Sequence, residues 1–316
     1  MKISTLKAIL DDEVSTILST DFSINVSPTS VVPGYSDGGV TFPNLDAKQQ
    51  SSKLLDSCVL YVDIRRSTDL NLAHKPETVA KLYSAFVRAM TQCAERNNGH
   101  VRGIIGDRVM VLFDSTDCYV NAVETAISMN STAIYVINKY FKRNEFSCGI
   151  GIDAGKMLAT KTGFRKRGVN RETYRSLVWL GRPANVASKL TDSANKTGYS
   201  ANVDRFRVGR QDIFGDFYWS DESSKVFLES LKTDYVNNAF YHTDRSVFSF
   251  YFYDSYEEFT PSTPPILMTK KVFDGFKLAA PKDSSIAKNL WKTVSVHIPG
   301  YTGDVIGGNV VWTDFK

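Results

Sequence analysis

The chain is 316 residues long, with 42% hydrophobic and 23% charged residues and a formal net charge of +4. That length allows one large domain or two modest ones, the apolar share excludes wholesale disorder, and so mild a charge argues against a nucleic-acid coat or a polybasic membrane tether. Asp11, Asp12 and Glu13 stand where a secretion signal needs an apolar run, and no stretch reaches the length of a membrane span, so no membrane attachment and a cytoplasmic location are expected. Cys58, Cys93, Cys118 and Cys148 form neither a CxxC pair nor a zinc pattern and read as reduced core residues.

Residues 3–19 predict a short amphipathic helix, with Leu6, Ile9, Leu10, Val14 and Leu18 on one face. The stretch 23–52 is rich in Ser, Pro, Gly and Asp and reads as a loop or linker. An almost continuous apolar run at 57–64 (SCVLYVDI) predicts a buried strand. Helical spacing of Val79, Leu82, Phe86, Met90 and Cys93 predicts a helix over 76–96, with Pro76 near its start and Asn97-Asn98-Gly99 closing it. Residues 100–113 predict two strands around a turn at Gly106-Asp107. A second long helix is expected at 117–141, a bent strand at 145–160, a basic loop at 161–175, a strand at 176–181 and a helix at 183–194. Beyond about 205 the pattern weakens and turns aromatic. The expected division is an N-terminal helix and linker (1–52), a core (53–205) and an accessory region packed on that core (206–316).

Two carboxylates stand out. Asp63 closes the buried strand, and Asp107 sits at the tip of the next hairpin. In a β-α-β-hairpin arrangement these two positions lie side by side. Like charges that close call for a cation, and hard oxygen ligands favour Mg²⁺ or Mn²⁺. Two such ions could clamp a triphosphate and activate a hydroxyl. Taken singly, Asp107 reads first as a turn residue and Asp63 as a helix cap.

Taken in order, YVDIRRST (61–68), GIIGDRVMVLF (103–113) and GRPANVASKL (181–190) resemble the class III nucleotidyl cyclases. That family has an aromatic-x-Asp-Ile strand, a Gly-Asp hairpin and a Gly-x-x-x-Asn-x-x-x-Arg helix. The resemblance covers roughly 56–205. It implies an α/β fold, a ferredoxin-like βαββαβ core with accessory elements at both ends. It also implies two ions, Mn²⁺ or Mg²⁺, held by Asp63, Asp107 and the carbonyl of Ile64. Backbone donors of Arg65, Arg66, Ser67 and Thr68 would hold the phosphates, and Asn185 would orient the ribose. A head-to-tail homodimer would complete each site, with the carboxylates from one protomer and the Asn185 helix from the other.

The departures from the family matter as much. Lys189 stands where the family has a transition-state Arg. It supplies a cation for charge developing on the α-phosphate, although without the planar fork. The two positions that read adenine in the family are Gly103 and Val178 here, so neither adenine-reading group is present. The pyrimidine cyclases of the Pycsar anti-phage systems lack the purine readers too, and SLVWLGRPANVASKL (176–190) looks like that subgroup. This implies UTP as substrate, cyclic UMP as product and a separate cyclic-nucleotide effector. A cytidylate cyclase and a catalytically silent nucleotide-binding module are the alternatives. A diguanylate cyclase is disfavoured because the hairpin reads Ile105-Gly106-Asp107-Arg108. Arg102 is a candidate base or ribose contact. The basic loop 161–175 sets six basic residues against Glu172, an excess greater than that of the whole chain, and within it Arg171 and Arg175 are the candidate triphosphate contacts.

Overall fold

The computed structural model describes residues 1–141, 146–163 and 175–316. It opens with helix α1 (Ile3–Ile17), strand β1 (Ser23–Thr29) and the long strand β2 (Gln49–Ile64). Helices α2 (Ser67–Ala73) and α3 (Pro76–Arg96), the hairpin β3 (Gly99–Ile105) and β4 (Arg108–Phe113), and helix α4 (Cys118–Ser131) follow. A π turn at Thr132–Ile137 carries α4 into α5 (Asn138–Tyr140). Strand β5 (Cys148–Gly163), strand β6 (Arg175–Leu180) and helix α6 (Arg182–Ser193) complete this part.

The four central strands lie in the order β5-β2-β4-β3, all antiparallel. Two split β-α-β crossovers through α3 and α4 produce that order, the expected ferredoxin-like βαββαβ core. Side-chain alternation along β2 divides the molecule into layers. Cys58, Leu60, Val62 and Ile64 face a large core made with α3, α4 and a C-terminal helix at Lys270–Ala279. On the other face, Leu55, Val59 and partly buried Tyr61 pack with Met110, Leu112, Met157, Trp179 and α6 residues Ala184 and Ala187. All four cysteines are buried and free.

Helix α6 lies flush on β5 because Gly149 and Gly151 have no side chains. A Cβ on Gly151 would come within 2.3 Å of the Ala187 carbonyl oxygen. Pro183 in the first turn suits a helix start, and Val186, Ala187, Leu190 and Thr191 are its buried stripe.

Two sequence expectations need correction. The stretch 23–52 is not wholly a linker, since β1 pairs in parallel with the first half of β2, Ser23 opposite Gln49 through Thr29 opposite Leu55. Its polar, Pro-containing composition hid an edge strand, a place where Pro28 is tolerated. Helix α1 forms as expected, but no residue of it is buried.

The second correction concerns 206–316, which is not one accessory region. Residues Thr197–Ser262 form a unit of their own, and Thr263–Lys316 belong with Met1–Lys196. The separate unit holds β7 (Tyr199–Gln211), β8 (Phe217–Ser223), α7 (Ser224–Glu229), β9 (Leu231–Asp234), β10 (Ala239–His242) and β11 (Val247–Thr260). It has a three-stranded sheet, β11-β7-β8, and a β9–β10 hairpin. After it come β12 (Ile266–Thr269), α8 (Lys270–Ala279), α9 (Ser284–Ala287), β13 (Lys292–Val294) and β14 (Val305–Gly308). Strand β12 pairs in parallel with β5, Ile266 opposite Ile150, and β14 and β13 extend the same sheet. Ile266, Leu267 and Met268 are fully buried, and every residue of β14 is buried too, so β12 and β14 are core rather than cover. Among the described residues, no helix is long and apolar enough to cross a membrane.

Candidate active site

The end of β2 and the β3–β4 turn meet at one edge of the sheet. Antiparallel pairing sets Asp63 opposite Arg108, which places Asp107, one residue earlier, beside Asp63. Gly106 makes the turn with φ of 61°, a left-handed conformation that suits glycine. Burial and then the neighbouring charge of Asp63 push the Asp107 carboxyl above its ordinary pKa, against a hydrogen bond from the Ser67 hydroxyl that works to lower it. Neither carboxylate is fully exposed, so their repulsion is poorly screened by water.

Asp63 is flanked by two guanidinium groups. Arg108 Nη2 donates to Asp63 Oδ2 at 2.6 Å and Arg108 Nε at 3.3 Å. Arg65 Nη2 reaches the same oxygen at 3.4 Å. Both arginines also hold α6. Arg108 Nη1 donates to Ser188 Oγ at 2.8 Å and Nη2 pairs with the Asp192 carboxylate, while Arg65 Nη1 donates to the Asp192 carbonyl at 3.1 Å. Burial works against the Arg108 cation, but the hydrogen bonds of Asp63 and Asp192 outweigh it and raise its pKa. Arg108, Ser188 and Asp192 were not singled out from the sequence. Arg108 could have been noticed as a cation placed next to an expected metal carboxylate.

The other sequence-predicted residues fall as follows. The backbone N–H of Arg65 donates to the Ser147 carbonyl at 2.8 Å, so it cannot serve a phosphate as expected; the pairing of β2 with β5 continues one residue past Ile64 and consumes it. Ser67 and Thr68 occupy the first turn of α2, where backbone donors lack intrahelical partners. Arg66 precedes them in a left-handed conformation, φ 52°. Arg102 is half-buried and braces the segment before β2, with Nε donating to the Pro33 carbonyl and Nη1 to the Val101 carbonyl, both at 3.1 Å. Lys161 is also built in: its Nζ donates to the Asp37 carbonyl at 3.0 Å beneath the rings of Tyr35 and Phe42. Arg171 lies outside the described residues, and of Arg175 only the backbone pairing with Gly163 is described.

On α6, Asn185 is exposed. Lys189 donates from Nζ to the Pro299 carbonyl at 2.8 Å, in the loop between β13 and β14. That loop holds α6 at a second point, where Arg182 stacks over the Tyr301 ring at 5.6 Å. The structure thus brings Asp63 and Asp107 together, and it links them to α6 through Ser188 and Asp192 rather than through Asn185 and Lys189. Gly103 and Val178 are partly exposed. A Cβ on Gly103 would meet Met110 Cβ at an ordinary 3.5 Å, so packing alone does not require glycine there.

The donor set suits a hard divalent cation. Two carboxylates close enough to repel, with the Ile64 carbonyl beside them, are oxygen ligands that a dication would relieve of that repulsion. Among the described residues no group of three or more His, Cys, Asp or Glu gathers to hold a metal. Water and phosphate oxygens would have to complete the coordination, as is usual for Mg²⁺ at nucleotides.

The model of the adenylate and guanylate cyclase catalytic domain matches residues 49–200. A uridylate cyclase of Burkholderia cepacia is 29% identical over 186 residues, covering 55% of this chain and 78% of the relative. A cytidylate cyclase of Staphylococcus aureus is 26% identical over 179 residues, covering 52% of this chain and 41% of the relative. Among solved structures, the adenylyl cyclase CyaB of P. aeruginosa aligns over 82% of this chain and 95% of its own, at 14% identity and a TM-score of 0.47. The matched segment begins with β2, carries both carboxylates and contains the whole of α6: residues 49–200 are similar over their whole length to the adenylate and guanylate cyclase catalytic domain, that of the class III nucleotidyl cyclases.

Proposed function

We propose that the protein converts UTP to 3′,5′-cyclic UMP and diphosphate. The observation that carries this reading is the pairing of Asp63 and Asp107 at one sheet edge, in a chain with Gly103 and Val178 where the family's adenine readers would stand. Loss of those polar groups removes the hydrogen bonds that would select adenine. The uridylate cyclase name of the Burkholderia relative supports uracil. The cytidylate cyclase name of the Staphylococcus relative keeps cytosine as the second reading.

Asp63, Asp107 and the Ile64 carbonyl would hold Mn²⁺ or Mg²⁺, two ions per site. Bound there, such ions screen the triphosphate and lower the pKa of the ribose 3′-hydroxyl. The 3′-oxygen attacks the α-phosphorus as its proton leaves, the bond to the β-phosphate oxygen breaks, and diphosphate departs. Free amides at the start of α2 face the leaving phosphates, Asn185 orients the ribose, and Lys189 offsets charge at the α-phosphate. Asn185 and Lys189 act on the site of a second copy in a head-to-tail homodimer. The product serves as an alarm signal to a separate effector during phage infection.

The test is incubation of the pure protein with each of the four ribonucleoside triphosphates and Mn²⁺, with products identified by mass spectrometry. Cyclic UMP is expected, and its loss in Asp63→Ala. Cyclic CMP alone would select the second reading, and cyclic AMP or GMP alone would overturn both. The shared site has its own check. Asp63→Ala mixed with the Asn185→Ala/Lys189→Ala double variant should recover roughly a quarter of wild-type activity, since half the dimers are mixed and each has one intact site.

A further inference from the structure

The carboxylate that would receive a metal ion already has a cation on it. Arg108 approaches Asp63 Oδ2 at 2.6 Å through Nη2 and at 3.3 Å through Nε. The same guanidinium holds Ser188 at 2.8 Å and the Asp192 side chain. Arg65 contacts the same Asp63 oxygen, but it is a fixture. Its side chain is 12% exposed against 26% for Arg108, and it lies over Gly149, where a Cβ would come within 3.0 Å of its Cζ. Arg108 is therefore the guanidinium with room to turn away.

We infer that Arg108 is a resident counter-ion of Asp63 that a divalent cation must displace, and that its grip on Ser188 and Asp192 passes that displacement to α6. The reasoning builds on the proposed metal role of Asp63 and Asp107. A guanidinium and a dication on one carboxylate repel each other across a few ångströms in a partly buried site, where screening is weak. The bare ion consequently binds poorly. A triphosphate offers the displaced guanidinium new oxygen partners in fork geometry, so ion and nucleotide enter together. Because α6 carries Asn185 and Lys189, entry of the ion at the carboxylates is felt by the helix that bears them. Arg108 is a positioning residue in this scheme.

The test uses the full chain with Mn²⁺ alone, free Mn²⁺ being counted by its electron paramagnetic resonance signal. Arg108→Gln should bind Mn²⁺ about tenfold more tightly than wild type or better, because one opposing charge is gone. Arg108→Lys keeps the charge and should stay within about threefold of wild type. Hydrogen exchange of the 182–193 amides should quicken at least about twofold on adding Mn²⁺ to wild type, and should not respond in Asp192→Ala, where the grip is already broken. Melting curves of the metal-free variants establish that each is folded. If Asp63→Ala binds Mn²⁺ as well as wild type, the carboxylate reading falls and this inference with it. If Asp63→Ala loses Mn²⁺ but Arg108→Gln binds no more tightly than wild type, the inference alone is overturned. An Arg108→Lys that binds as tightly as Arg108→Gln also overturns it.

Discussion

Asp107 shows at the scale of one residue how a site is prepared for a cation. Its raised pKa comes first from burial and then from Asp63. In metal-free protein its ionised form therefore opposes folding. The sign follows from linkage: the folded carboxyl holds its proton more tightly than the unfolded one, so stability is lost as pH rises above the ordinary value of 3.8. Asp107→Asn should melt at a higher temperature than wild type at pH 7 without metal. That advantage should vanish as the pH falls below 3.8, and melting curves across pH would show it. The same variant should lose cyclase activity. At Lys189 the expected effect is kinetic. Lys189→Ala should lower kcat about 10²-fold, in the range for removing one charge-stabilising donor, while Mn²⁺ binding stays unchanged. The two carboxylates were legible because a buried strand ending in Asp and a Gly-Asp turn are local patterns. Arg108, Ser188 and Asp192 were not, because their meeting depends on where α6 crosses β5.

That crossing is decided by two glycines two residues apart, and the element scale is where it can be probed. Gly149 and Gly151 point to the same face of β5, and α6 backbone atoms occupy the space where side chains would stand. Gly151→Ala should destabilise the protein by about 2 kcal/mol or more, as overpacking does, measured by urea unfolding. Because Arg65 and Arg108 both reach from the carboxylate to α6, the shift should also lower activity. The helix period of 76–96 was legible because that helix buries one face, and the apolar run of 57–64 because that stretch of β2 is covered on both faces. β1 was illegible because it is a polar edge strand, held by parallel pairing to a distant segment rather than by a pattern of its own.

For the whole molecule the governing fact is that the sheet is closed by residues far along the chain. Strand β12 lies against β5 with every residue buried. Asn130 of α4 donates to the Asn309 side chain at 3.0 Å and the Val310 carbonyl at 2.9 Å. Ending the chain at 205, where sequence pattern alone placed the limit of the core, should give insoluble or unfolded protein. The converse experiment exploits the separate unit. The core residues that flank it are clipped together, Thr263 N–H to the Lys196 carbonyl at 3.0 Å and Lys196 N–H to Thr263 Oγ1 at 2.9 Å. Replacing 198–262 with a short Gly-Ser linker should therefore leave a folded core with a cooperative melt, as circular dichroism would report. The aromatic weight of that segment blurred the boundary, because a strand as little buried as β7 carries weak periodicity.

The late arrival of β12 sets an order for synthesis. Both carboxylates and α6 leave the ribosome well before Ile266, so a nascent chain holds all the proposed catalytic groups while one edge of β5 still lacks its neighbour. An unpaired edge of that kind invites pairing with other chains, and a site built on it has no fixed geometry. Completion of the last strands closes that edge, so the half-made chain is the form exposed to aggregation and the finished one is protected.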